Sequence, residues 1–132
     1  MGDFYGQETA GTEVRKLYEE LGPLWTLDTC APRLRPEWSP ENRTLGQCSI
    51  TAFLVQDLLG GVVRGIPLPD GSVHCFNEVD GRIFDLTSAQ FGDEALDYEN
   101  RPEQRREDHF ADAGKRQRYE LLKARLLAGR ED

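Results

Sequence analysis

Cys48, His74 and Asp85 are the residues whose types and spacing point to covalent chemistry. Cys48 follows Gly46-Gln47 and opens an apolar run that reaches Leu59, which places its thiol in the first turn of a helix. There it faces unpaired N–H groups and the positive end of the helix dipole, and both favour thiolate. Packing alone is the plain alternative, because cysteine is also a small hydrophobe and among the most buried residue types. His74 and Asp85 flank Asp80-Gly81, the clearest hairpin signal in the chain. With Asp80-Gly81 as a two-residue loop, Val79 pairs with Arg82, Phe76 stands opposite Asp85, and His74 stands opposite Thr87. Directly opposed residues lie on one face, so His74, Phe76 and Glu78 share a face with Ile83, Asp85 and Thr87. His74 and Asp85 become diagonal neighbours about 7–8 Å apart at the backbone, within reach of an imidazole and a carboxylate. Thiol, imidazole and carboxylate then read as nucleophile, base and orienter.

The elements that must position these groups follow from periodicity. Residues 1–11 hold three glycines and no period, so a loose N-terminus is expected. Thr12 reads as a helix N-cap, with Val14, Leu17, Tyr18 and Leu21 at helical spacing before the stop at Gly22-Pro23. Residues 28–46 contain Pro32, Pro36, Pro40 and Gly46 and should lack a regular element, although Trp38 argues that this loop packs on the body. The run Gln47–Leu59 is apolar around most of its circumference and reads as a buried central helix closed by Gly60-Gly61. Val62–Leu68, Val73–Val79 and Arg82–Leu86 read as strands, the first ending in the turn Pro69-Asp70-Gly71. Residues 92–112 look like a charged surface connection, and 113–128 like a C-terminal helix with Tyr119, Leu122 and Leu126 on one face. The fold class is α+β: a buried central helix on a small antiparallel sheet, in a single domain spanning 1–132 with its site in residues 12–91.

Charge and composition exclude some classes of partner. With 16 basic and 24 acidic residues the net charge is −8, which argues against general phosphate-backbone binding and so against nucleic acid. No run approaches the ~18 apolar residues a membrane span needs. The first twenty residues carry Asp3, Glu8, Glu13 and Glu19 rather than an apolar leader core, so a soluble, cytoplasmic protein is expected. Three cysteines, Cys30, Cys48 and Cys75, at irregular spacing with no C-x-x-C pair do not make a disulfide framework. Together with His74 they suffice for zinc in kind and number. Strand alternation, however, sends His74 and Cys75 to opposite faces, so zinc ranks third and no metal or other cofactor is expected.

The stretch from Trp38 to Phe91 resembles the YunG-like family of small bacterial proteins. The matching runs are Gly46-Gln47-Cys48 with Thr51-Ala52, Gln56-Asp57 before Gly60-Gly61, His74 with Phe76-Asn77, and Asp85-Leu86-Thr87 with Gln90-Phe91. The same core looks like a reduced papain-like or transglutaminase-like unit, and that resemblance implies Cys48, His74 and Asp85 as catalytic positions. Other polar residues carry two readings each. Gln47 either donates to an oxyanion or satisfies the preceding loop, and Asn77 and Gln90 either line a cleft or cap loop backbone. Trp38 is a candidate cleft residue, His109 in its charged run is expected in solvent, and Lys115, Arg116 and Arg118 read as a solvated helix face. The expectation is cysteine-dependent acyl transfer on an amide or ester substrate. The alternative is a non-catalytic module using the cleft near His74 and Trp38 to hold a small ligand or a protein partner. Oligomeric state is not legible.

Overall fold

Apolar side chains on nearly every side of the Cys48–Leu59 segment leave it no wide solvated stripe, so it must be covered on several sides. The computed structural model, which describes residues 3–131, does this with a mixed α+β architecture. In chain order the elements are α1 (Gln7–Ala10), α2 (Thr12–Leu21), α3 (Cys48–Leu59), β1 (Val62–Pro67), β2 (Val73–Val79), β3 (Arg82–Phe84), α4 (Arg106–His109) and α5 (Ala113–Arg130). The strands form one antiparallel sheet in the order β1-β2-β3. Helix α3 lies between this sheet and α5, with Ile50 through Val55 all buried. No described helix is long and apolar enough to cross a membrane.

The hairpin has the expected register from Val79 opposite Arg82 to Asn77 opposite Phe84, but the expected Phe76–Asp85 and His74–Thr87 pairs do not form, because β3 ends at Phe84 rather than Leu86 and Asp85 bridges to Tyr5. Asp80 and Gly81 both take positive φ (53° and 78°), the backbone that matches the right-handed twist of the flanking strands. Two layers cover the sheet. Val63, Cys75 and Phe84 join the core beneath α3, and Asn77 donates its amide to the Ala52 carbonyl at 2.9 Å. On the other face Ile66 and Phe76 pack with Tyr98, and Arg64 pairs across the strands with Glu78 at 2.8 Å.

Four local expectations are corrected. The N-terminal residues from Asp3 onward are not loose: Phe4 is buried against Tyr18, and the Asp85 N–H donates to the Tyr5 carbonyl at 3.0 Å. Gly11, not Thr12, caps α2. Residues 28–46 are not wholly irregular, since Pro32–Glu37 forms a 3₁₀ helix entered through Pro32. The 92–112 stretch is more than a surface connection. It lays the Pro102 carbonyl and the Gln104 N–H on the free edge of β1 (3.0 and 2.7 Å) and buries Tyr98. The Trp38 indole donates to the Arg43 carbonyl at 3.0 Å within its own loop, and Arg43 donates in turn to the carbonyl of buried Trp25 at 3.2 Å.

Candidate active site

Backbone geometry brings Cys48 to its place. Gly46 has φ +75° and approaches so closely that a Cβ there would stand 2.5 Å from the Cys30 sulfur and 2.9 Å from the Ala31 nitrogen. Only glycine meets both demands, and it sends the chain straight into α3 with Cys48 as the first helical residue. No side chain caps this helix start, so its first N–H groups open where the thiol sits.

The ladder between β2 and β3 stops at Phe84, one residue before Asp85. The Asp85 carboxylate is the reason. Its Oδ1 accepts the Thr87 N–H (3.1 Å) and the Thr87 hydroxyl (3.2 Å), which folds the chain into a tight turn instead of a longer strand. Its Oδ2 is then free to meet His74, whose Nε2 lies 2.6 Å away, and it also accepts the Tyr98 hydroxyl at 2.7 Å. His74 and Asp85 are both about 1% exposed. Phe91 stands edge-on to the imidazole with centroids 4.7 Å apart.

The second imidazole nitrogen, Nδ1, is buried and has no partner that satisfies hydrogen-bond geometry among the described residues. The Cys48 thiol, whose Sγ lies 3.9 Å from the Val73 carbonyl oxygen, is near enough to affect the titration of this ring. Burial pulls the His74 ring toward the neutral form, but the hydrogen bonds and charges of Asp85 and Cys48 outweigh it and lift its pKa to about 10. Cys48, half-buried, is held well below the usual thiol range. A hydrogen bond from the Cys75 thiol contributes most, burial opposes it, and the hydrogen bond and charge of His74 add to it. Cys75 is pushed well above that range by the same contact and by its own burial. Of these two thiols, Cys48 is the one shifted toward thiolate. A lowered thiol pKa beside a raised imidazole pKa favours charge separation between the two groups, with the carboxylate of Asp85 on the far side of the ring.

Cys48 and His74 open into a cleft of about 690 Å³ whose walls include Leu34, Leu68, Phe91, His109, Lys115 and Arg118. Among the other residues anticipated from sequence, Gln90 lines this cleft while its amide donates to the Thr87 carbonyl at 2.9 Å. Gln47 is fully buried and donates to the Thr26 carbonyl at 3.1 Å, so it satisfies the preceding loop. Asn77 ties β2 to α3, and neither it nor Trp38 reaches the cleft.

His109 is not in solvent. It is half-buried, packs on Phe53 with centroids 5.2 Å apart, and has Gln104 Oε1 at 3.0 Å from Nε2 and Lys115 Nζ at 3.0 Å from Nδ1. Burial and the neighbouring Lys115 keep its pKa low, so Lys115 donates to Nδ1 and the Nε2–H donates to Gln104. Lys115 and Arg118 likewise belong to the cleft wall rather than to a solvated face. Tyr98, Thr87 and His109 are the site residues that sequence reasoning missed. The available signal was an isolated aromatic, Tyr98, inside a charged stretch. No three His, Cys, Asp or Glu residues are grouped to hold a metal ion among the described residues.

The family model described as "YunG protein" matches residues 13–130. The chain is 34% identical over 88 residues to "Uncharacterized protein YunG" of Bacillus subtilis (strain 168), an alignment covering 67% of this chain and 74% of that protein. No solved structure matches it. Cys48, His74 and Asp85 all fall inside the matched span, and on these similarities the chain belongs to the YunG family.

Proposed function

We propose that this protein is a cysteine-dependent acyl-transfer enzyme, acting on an amide or ester through Cys48, His74 and Asp85. The observation that carries the reading is the His74 ring. One nitrogen lies 2.6 Å from a buried carboxylate, and the other is buried without a hydrogen-bond partner among the described residues on a ring whose pKa is raised by Asp85 and Cys48. The chain order, with the thiol on helix α3, the imidazole on β2 and the carboxylate just after β3, resembles that of papain-like and transglutaminase-like cores.

In the proposed reaction the Cys48 thiolate attacks the carbonyl carbon and forms a C–S bond. The carbonyl oxygen becomes an oxyanion within reach of the uncapped N–H groups at the start of α3. The C–N or C–O bond then breaks, and the His74 proton passes to the departing amine or alcohol. A water or a second nucleophile attacks the thioester, His74 takes its proton, and the thiolate–imidazolium pair is restored. Asp85 holds the ring orientation throughout and offsets its positive charge. The buried Gln47 amide is committed to Thr26, so oxyanion stabilisation is assigned to backbone rather than to this side chain.

The test is hydrolysis of p-nitrophenyl acetate by the wild type, Cys48→Ser and His74→Ala, each checked for a native thermal transition. Turnover in the wild type and its loss in both folded variants is expected. Equal turnover in all three would reject the enzyme and favour a binding module on the same fold.

A further inference from the structure

The wall of the cleft facing Cys48 carries positive charge that the protein itself does not neutralise. Arg118 on α5 is half-buried, its Nε is fully enclosed, and that atom has no hydrogen-bond partner among the described residues. Nor does its guanidinium form an ion pair among them, whereas Arg125 and Arg130 on the same helix pair with Asp28 and Glu20. Leaving an enclosed guanidinium N–H without an acceptor is costly.

The neighbouring groups do not fill that role. Asp112 attracts Arg118 but forms no ion pair with it among the described residues, and its Oδ1 accepts the Lys115 N–H as the cap of α5 at 3.1 Å. Arg35 opposes Arg118 with like charge, and Cys30 is the thiol nearest to it in effect. Lys115 lines the same cleft and uses one Nζ hydrogen on His109. The remaining cation of the cleft, Arg33, is paired with Asp70 at 3.1 Å. The lining of the cavity that holds Cys48 therefore carries three cations, Arg33, Lys115 and Arg118, against two carboxylates, Asp70 and Asp112, in a chain whose net charge is −8. A surface that is acidic overall and locally basic at one cleft selects anions at that cleft.

We propose that the substrate is an amide or ester bearing a carboxylate, which Arg118 binds with Lys115 alongside while the substrate carbonyl reaches Cys48. The proposal rests on the acyl-transfer reading of Cys48 and names the class of compound that reading takes. A guanidinium presents parallel N–H donors that match the two oxygens of a carboxylate, and it keeps its charge at any working pH. The cavity, at about 690 Å³, has the volume of a small-molecule site, and its apolar residues Leu34, Leu68 and Phe91 suit the carbon chain between carboxylate and carbonyl.

The experiment is an amide NMR titration of the full chain with N-acetylglycine and with its uncharged counterpart, N-acetylglycinamide, on wild type, Arg118→Gln and Lys115→Gln. The acid should give saturable shifts at Gly46, Ser49 and Gly114 in the wild type, and the amide should bind about tenfold or more weakly, the equivalent of about 1.4 kcal/mol. Arg118→Gln should erase the preference and Lys115→Gln should reduce it. Equal binding of acid and amide by the wild type overturns the proposal without any variant, and so does undiminished acid binding in a folded Arg118→Gln protein. The readout needs no turnover. A protein that selects the acid but never forms a thioester keeps the carboxylate site and loses the enzyme, and one that forms a thioester without regard to charge does the reverse.

Discussion

Tyr98 donates its hydroxyl, at 2.7 Å, to the same Asp85 oxygen that faces His74. That oxygen is thereby held between two donors from different parts of the chain, and the other oxygen is held by Thr87. The carboxylate cannot rotate away from the imidazole without breaking several hydrogen bonds in a dry environment, where each is expensive to lose. Stacking of Tyr98 on Tyr5, with centroids 3.9 Å apart, carries the support back to the N-terminal residues.

Removing the two supports should give different results. Tyr98→Phe keeps the stacked ring and takes away one donor, so it should cost about 1 kcal/mol of stability and leave turnover within a few-fold of wild type. Asp85→Asn puts an amide group against His74 in place of the negative charge. Acylation of Cys48 should then fall about 10²–10⁴-fold, the range typical of proton-transfer machinery. Denaturant midpoints and single-turnover rates on the same preparations check both.

Thiol selectivity is the second expectation. Cys30 and Cys75 are buried and shifted upward, whereas Cys48 is half-buried and shifted well down. Iodoacetamide near pH 6 should therefore modify Cys48 first, and His74→Ala should slow that reaction because it removes the imidazolium. Peptide mapping after brief labelling reads the result. Equal labelling of the three thiols would show that Cys48 is an ordinary packed cysteine.

Acylation should also follow a bell-shaped pH profile. It requires the Cys48 thiolate, which is gained as pH rises through its lowered pKa, and the His74 proton, which is lost as pH rises through about 10. The rate should rise on the acid side well below the usual thiol range of ~8.5, stay flat through neutrality, and decline toward pH 10. A midpoint of the acid limb near that usual thiol range would mean that no ion pair forms.

The N-terminal residues should prove structural. Phe4 is 4% exposed, and Phe4→Ala should cost about 3–5 kcal/mol by leaving a cavity against Tyr18. The loss would appear in a urea unfolding midpoint.

These residues also mark where sequence legibility ends. The His74–Asp85 relation is readable because Asp-Gly specifies the turn, and the turn sets which residues share a face. The central helix is readable because its apolar positions leave no polar side. By contrast, Phe4, Tyr98 and His109 each lie in a polar or glycine-rich stretch, and only distant partners give them a buried place. The end of β3 is of the same kind, since it depends on Asp85 choosing Thr87 over another rung of the ladder. Gln47 had two possible hydrogen-bond partners in prospect, and only the folded loop around Thr26 decides between them.

The most direct test of the Cys48–His74–Asp85 assignment is mass spectrometry of the intact protein and its peptides after brief exposure to p-nitrophenyl acetate at neutral pH. The predicted result is one acetyl group on the Cys48 peptide, labile to hydroxylamine, absent in Cys48→Ser and strongly reduced in His74→Ala. Acetyl groups scattered over lysines, or a Cys48 adduct formed equally well without His74, would contradict it.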